Sequence, residues 1–315
     1  MEKSSQKTYG KIVFVADETD KVALQMVFSA LEAFDILGYR VHPQDISIVA
    51  DCGRITAFDK DRKIDADLVV GWLYEKWLAP GYSLLKMVEA AGYPVVNGPD
   101  ILITGQNKAL MSALLHKNKV SHPAVRYFGN TEFTKHRSGG IRYPVVVKPG
   151  LVNAGGRTTV YSGGKGIVKI NTPGEMENVH DLMSAFDQPL YSQDYIEKPG
   201  NSDIRVWVFG YEAICAVLKI PEDRKNWITN YLRGGIRFEL MEIDRRLEKI
   251  SVDAARAIGS EISGIDVAVT PEGEYTVFEV NTCPTFPEDP EDSTGRAVSQ
   301  ALAGYIARRL KEVIN

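Results

Sequence analysis

Between residues 11 and 97, short β-branched apolar runs alternate with helix-spaced segments, and this alternation constrains the fold more than any other feature of the chain. Residues 11–16, 67–71 and 93–97 read as strands. Apolar spacing predicts helices over 23–37, ended by Gly38, and over 83–91. Strands separated by helices pair in parallel, so a doubly wound α/β sheet is expected. No Gly-x-Gly-x-x-Gly follows the first strand, which leaves the sheet without a dinucleotide fingerprint.

The pattern then changes. A helix is expected over 105–119. Residues 145–148 and 167–170 read as strands around glycine-rich sequence that holds Gly155-Gly156 and Gly163-Gly164-Lys165-Gly166. Pro173 opens a helix to residue 186, its ring placed where a first helical residue tolerates it. After a strand over 191–196 the chain is hairpin-rich, with helices over 244–260 and 296–313. A chain of 315 residues is long enough for two or three domains, and an α/β start followed by α+β sequence fits that length.

Composition excludes several functions. Lys and Arg number 37 against 41 Asp and Glu, a net charge of −4, so no nucleic-acid partner held by a basic surface is expected. Cys52, Cys215 and Cys283 are too few and too widely spaced for a disulfide framework or a cysteine-ligated zinc. No apolar run approaches the ~20 residues of a membrane span, and the first residues lack a signal-peptide core, so a cytoplasmic protein without membrane contact is expected. The five histidines show no ligand spacing and read as structural or solvated.

The sharpest chemical signal is the pair Gly264-Ile-Asp266-Val-Ala-Val-Thr270 and Tyr275-Thr-Val-Phe-Glu279-Val-Asn281, joined by four residues. In a regular hairpin Thr270 faces Tyr275, which sets Asp266 opposite Glu279. Opposed side chains lie about 4.5–5.5 Å apart at Cβ, and like charges there are destabilising. Asn281 shares the face of Glu279. Two carboxylates and an amide suit Mg²⁺, which takes hard oxygen ligands and is often shared with nucleotide phosphates. A solvated face with opposed charges is the plainer account of the pair taken alone.

Other motifs are individually weak. Strand alternation puts Asp203 and Arg205 on one face and Ile204, Val206 and Val208 on the other, and the arginine fork suits phosphate or carboxylate oxygens. Lys148 ends an apolar strand, where an ammonium is costly without an anion. The glycines beyond it let backbone N–H groups approach phosphates. Asn230-Tyr-Leu-Arg233-Gly-Gly lies between strands as a candidate contact loop. No Ser/His/Asp or Cys/His nucleophile arrangement is present.

Taken in order, these elements resemble the ATP-grasp superfamily, in its RimK-like branch of amino-acid ligases. The resemblance runs over about residues 100–312, through Asn107-Lys108, Val146-Val-Lys148, Gly163-Gly164-Lys-Gly166-Ile, Gln193-Asp194-Tyr195-Ile196, Asp203-Ile-Arg205, Asn230-x-x-Arg233, Gly264-Ile-Asp266 and Glu279-Val-Asn281. It implies an N-terminal α/β domain over 1–105 and two α+β subdomains over 106–195 and 196–315. It also implies ATP with two magnesium ions, or manganese. Lys108 and Lys148 would meet phosphates, the 193–197 backbone would read adenine, and Asp203 would lie near the ribose or acceptor. Asp266, Glu279 and Asn281 would hold the metal, with Arg205 and Arg233 at the transferred phosphoryl group.

The implied reaction joins a carboxylate to an amine through an acyl phosphate, releasing ADP and phosphate. Its substrates would be an amino acid such as glutamate and a small molecule, peptide or protein tail. A small-molecule kinase and a non-catalytic nucleotide-binding protein are the alternatives, and a homo-oligomer is left open. Three features depart from the branch. Residues 150–162 intervene before Gly163, Asp194 replaces Glu, and Thr282-Cys-Pro-Thr285 replaces Ala-Ser-Pro-Gly, so the acceptor does not carry over.

Overall fold

The computed structural model describes residues 10–129, 140–148, 151–154, 157–160, 166–186, 188–223, 225–229, 235–289 and 291–315. The first part runs β1 (Gly10–Ala16), α1 (Lys21–Leu31), β2 (Ile36–Val41), β3 (Ile46–Asp51), β4 (Arg54–Asp59), β5 (Arg62–Lys63), β6 (Leu68–Trp72), α2 (Glu75–Ala90) and β7 (Val95–Val96). β2, β1, β6 and β7 pair in that order, all in parallel. The chain therefore winds from β1 toward one edge and from β6 toward the other.

The N-terminal expectations need three corrections. α1 ends at Leu31, and Asp35 in the left-handed region (φ 57°) closes the turn that follows. Gly38 lies inside β2, where a Cβ would come within 2.7 Å of Phe28 and 2.9 Å of Leu31, so its missing side chain lets the strand pass against the helix. α2 begins at Glu75 and runs through Pro80, with Gly81 admitting Leu73 at 2.3 Å from its would-be Cβ. β3, β4 and β5 form an unforeseen antiparallel meander.

The helix expected over 105–119 is α4 (Lys108–Lys117), and a separate, unforeseen helix, α3 (Pro99–Gln106), precedes it. Asn107 parts the two at φ −91°, ψ 95°, and its side chain accepts the Leu110 N–H at 3.1 Å. This N-cap makes Lys108 the first helical residue.

Next come β8 (Val125–Phe128), β9 (Val145–Lys148), β10 (Leu151–Ala154), β11 (Arg157–Val160), β12 (Val168–Ile170), α5 (Pro173–Ala185) and β13 (Leu190–Asp194). β12, β9, β13 and β8 form an antiparallel sheet with a small core of Val145, Val147, Ile170, Met176 and Leu190. β10 and β11 pair as a separate hairpin within the β9–β12 connection.

The last part is β14 (Asp203–Phe209), β15 (Glu212–Pro221), β16 (Ile236–Met241), α6 (Arg245–Ile258), β17 (Ile262–Val269), β18 (Tyr275–Asn281) and α7 (Ser293–Ile314). Its antiparallel sheet has the order β16-β15-β14-β17-β18. Ile204, Val206 and Val208 meet Leu247, Ala254 and Ile258 of α6 and Met111 and Leu115 of α4 in one core. Trp207 and Phe209, on the other face, join a core that runs through α7 (Val298, Leu302, Ile306, Leu310) into the parallel sheet. That second face is thus apolar toward one end of β14 and charged toward the other, where Asp203 and Arg205 lie.

Asn97, at φ 49°, ties the parallel sheet to the last one. Its Nδ2 donates to the carbonyls of Ile262 and Thr282, each at 2.7 Å, and its Oδ1 accepts from the Ile262 N–H at 3.2 Å. Asn97→Ala takes this partner from the Thr282 carbonyl and the Ile262 N–H, while the Ile262 carbonyl keeps the Ser260 hydroxyl at 2.8 Å; the change should cost about 3 kcal/mol, measured as a lowered denaturation midpoint. An unchanged midpoint would refute the tie. Among the described residues no helix is long and apolar enough to cross a membrane.

Candidate active site

The β17–β18 hairpin brings the carboxylates together by a route more complicated than a regular hairpin. Val269, and not Thr270, faces Tyr275. A bulge after Asp266 absorbs the one-residue shift, so Asp266 lies opposite Glu279 and Gly264 opposite Asn281. The inserted residue is Phe278. Val277 and Val280 stay in the core on either side, while Phe278 and Glu279 share the opposite face. The Phe278 ring centroid lies 5.7 Å from Lys148 Nζ and 5.4 Å from Lys198 Nζ, within cation–π range.

Each carboxylate is matched by cations. Arg205 grips Asp266 with two donors at 2.8 and 3.0 Å, and Lys219 Nζ reaches the same carboxylate at 2.8 Å. Asn281 Nδ2 is 3.2 Å from Asp266 Oδ2. Burial alone would raise the Asp266 pKa, but Arg205 and Lys219 outweigh it and hold the carboxyl well below its usual range. Glu279 accepts from Lys108 Nζ at 2.6 Å. Against the upward push of burial, Lys108 and Lys148 keep its pKa low as well. Asp203, 1% exposed, is 2.8 Å from Lys219 Nζ and 2.9 Å from Lys198 Nζ, and Thr229 also donates to it.

Three carboxylates (Asp203, Asp266, Glu279) therefore face five cations (Lys108, Lys148, Lys198, Arg205, Lys219). The surplus of positive charge resides chiefly in Lys148. Its side chain is 6% exposed, and burial pushes its pKa down to about 8. An anion placed beside Lys148 would restore its proton affinity. ATP binding should accordingly weaken as pH rises through about 8, and Lys148→Met should abolish that dependence. Titration of nucleotide affinity against pH checks this, and a flat wild-type profile would refute it.

A buried relay of hydrogen bonds fixes the strands around Lys148. His122 Nδ1 bonds the Val277 carbonyl at 2.8 Å and Nε2 meets Ser112 Oγ at 2.9 Å. Ser112 meets the Tyr191 hydroxyl at 2.9 Å, which lies 3.4 Å from Gln193 Oε1. Burial pushes His122 down to about 4, so it is neutral at physiological pH. Beyond Gln193, Asp194 pairs with Arg126 at 2.7 Å. The Tyr195 N–H is taken by the Pro144 carbonyl, and its ring lies under Lys169 Nζ (3.6 Å) beside Trp227 (5.9 Å). Ile196 lies just beyond the end of β13, half-buried.

Gly166 lies in the left-handed region at φ 71°. Gly163, Gly164, Asn230 and Arg233 fall outside the described residues. The 150–162 insertion contains the β10–β11 hairpin. Cys283 is buried in the first core, its thiol 3.7 Å from the Leu73 carbonyl. Sequence reading missed Lys219, Lys198 and Phe278. Lys219 interrupts the apolar run of β15, the same signal that singled out Lys148. The bulge that turns Phe278 toward the lysines has no local sequence signature.

The donor set fits a magnesium nucleotide. Asp266, Glu279 and Asn281 offer hard oxygens on one face, and the excess lysine charge calls for phosphate. Among the described residues no three His, Cys, Asp or Glu side chains gather as a metal site.

The chain is similar to several known ligases. The α-aminoadipate–LysW ligase LysX of Saccharolobus solfataricus is 28% identical over 201 residues, covering 64% of this chain and 70% of the relative. The coenzyme γ-F420-2:α-L-glutamate ligase of Methanococcus maripaludis is 25% identical over 236 residues, 72% of this chain and 77% of the relative. A Chryseobacterium gregarium RiPP-associated ATP-grasp ligase, solved with ADP and a leader and core peptide, superposes with a TM-score of 0.69 at 17% identity, covering 95% of this chain and 97% of that one. The model of the RimK-like ATP-grasp domain matches residues 105–306. The chain thus belongs to the RimK-like ATP-grasp family of ATP-dependent ligases that form carbon–nitrogen bonds.

Proposed function

We propose that this chain adds an amino acid, with glutamate the first choice, to a small molecule, peptide or protein tail. The observation that carries the reading is the surplus of cations facing the Asp266–Glu279 pair. A carboxylate attacks the γ-phosphate of ATP and releases ADP. The amine then attacks the acyl carbon, and phosphate departs as the amide forms. Both steps gather negative charge on oxygen, so positioning and electrostatic stabilisation carry the catalysis.

The residues divide this work. Lys148 and Lys108 bind phosphates, and the backbone over 193–197 reads adenine. Asp203 anchors the cationic cluster near the ribose or acceptor, while Gly163, Gly164, Gly166 and Asn230 line the nucleotide. Asp266, Glu279 and Asn281 hold magnesium, two ions in this reading, which neutralises phosphate charge when bound. Asp266 is saturated by Arg205 and Lys219, so one of these must turn toward the phosphates as the nucleotide arrives. Arg205, with Arg233, then meets the transferred group. The reading assigns 1–105 to an N-terminal domain and 106–195 and 196–315 to the two halves of the ATP clamp, in a cytoplasmic protein.

The test is ADP and phosphate release that requires both a carboxylate and an amine. Label from an ¹⁸O-carboxylate must appear in the phosphate. Stable phosphorylated product without amide would establish a kinase instead.

A further inference from the structure

The parallel sheet changes winding direction between β1 and β6, and open α/β sheets place functional groups beyond the strand ends at such a point. Asp20 sits there, 5% exposed, as the residue preceding α1. A carboxylate at that position ordinarily caps the helix, yet Asp20 makes no side-chain cap. Its Oδ2 instead receives the Trp72 Nε1–H at 2.6 Å and lies 2.5 Å from the Tyr74 hydroxyl oxygen. That same hydroxyl oxygen is 2.7 Å from the carbonyl oxygen of Cys283.

The hydrogens do not balance with an ionised Asp20. Tyr74 has one hydroxyl hydrogen and faces two acceptors, a carboxylate and a carbonyl. A proton on Asp20 Oδ2 resolves the count. Asp20 donates to Tyr74, Tyr74 donates to the Cys283 carbonyl, and Trp72 donates to Asp20. Once Asp20 ionises, the Tyr74 hydrogen turns back to it, and the Cys283 carbonyl faces hydroxyl lone pairs.

We propose that Asp20 is a positioning residue, held as the neutral acid, whose proton completes a relay through Tyr74 to the Cys283 carbonyl. The relay fixes the segment that follows Asn281. Asn97 holds that segment at the Thr282 carbonyl and Trp207 Nε1 at the Thr285 carbonyl (3.3 Å), so Tyr74 supplies the middle restraint.

The surroundings favour the neutral acid. Asp17, in the same turn, and Glu288, beyond Cys283, bring only negative charge. Burial and then Asp17 push the Asp20 pKa up against the Trp72 and Tyr74 bonds. Burial raises Glu288 likewise, and it holds the Tyr74 hydroxyl and Cys283 thiol well above their ordinary values, so neither releases a proton into the relay.

Asp20→Ala and Tyr74→Phe remove the relay, and each should lower turnover by about 10–100-fold, the usual cost of removing an outer-shell orienting partner. Asp20→Asn keeps the shape without a titrating proton, but one amide nitrogen cannot both receive the Trp72 N–H and donate to Tyr74, so it reports on the titration alone. At saturating ATP, wild-type turnover should fall as pH rises through the Asp20 titration, and that of Asp20→Asn should lack this step. If Tyr74→Phe keeps wild-type turnover, or Asp20→Asn follows the wild-type pH profile, the proposal is wrong.

The turnover arm rests on the ligase reading; a second arm does not. A carboxyl whose folded pKa is raised lends stability that is complete below its unfolded pKa and is lost as pH rises to the folded one. The wild-type thermal midpoint should therefore fall as pH rises through the Asp20 titration, and that of Asp20→Asn should not. Parallel midpoint–pH profiles would overturn the neutral acid whatever reaction the protein catalyses.

Discussion

Glu279→Gln is expected to lower magnesium-dependent ADP formation by about 10²–10³-fold, the usual cost of losing one preorganised electrostatic partner. The fold should survive. The Glu279 side chain is 28% exposed and its partner Lys108 16% exposed, so water reaches the pair and its loss should cost less than that of a fully buried pair. The substitution also relieves the opposition between Glu279 and Asp266. Turnover with saturating Mg²⁺ and ATP, measured beside the thermal midpoint, separates the two effects. Undiminished ADP formation at an unchanged midpoint would remove Glu279 from the catalytic reading.

Lys219→Met should be the most damaging change to stability in the cluster. Lys219 lies 2.8 Å from both Asp203 and Asp266, and all three are nearly inaccessible to solvent. Breaking a buried pair by deleting one partner typically costs about 3–5 kcal/mol, because the surviving charge is left without compensation. Here two carboxylates share that loss, although Arg205 and Lys198 remain to limit it.

The pH dependence has a definite sign. Asp266 is held below its unfolded pKa, so its contribution is complete above about pH 4 and is lost as pH falls through lower values. In Lys219→Met the Asp266 pKa moves back toward normal and the acid-dependent loss shrinks. A mutant whose midpoint and acid limb match those of the wild type would show that Lys219 does not carry this charge.

Much of the candidate site was legible because charge stands out in an apolar strand. Lys148 and Arg205 each interrupt a run of β-branched residues, and the Asp266–Glu279 opposition follows from hairpin pairing. The pairing came out right through two departures that cancel, a loop one residue longer than expected and a bulge one residue wide. Neither is written in side-chain periodicity, since a bulge is chosen by the packing of Val277 and Val280 on one face and the cations on the other. The break at Asn107 escaped notice because the helical spacing of Leu110, Ala113 and Leu114 lies wholly within α4 and does not mark where that helix begins. The β3–β5 meander was not foreseen, although Ile46-Ser-Ile-Val-Ala50 carries a β-branched signal; its strands are largely exposed and pair only with one another.

The threading of α7 through the first core bears on how the chain is made. Val13, Leu24 and Val69 belong to the same buried cluster as Val298, Leu302 and Leu310. A ribosome adding about 5–20 residues per second needs roughly 10–40 seconds to pass from β7 to α7. Throughout that interval the parallel sheet has emerged without the helix that covers it. Its apolar surface must be shielded by a chaperone or wait loosely ordered, so the earliest sequence to appear is among the last to be finished.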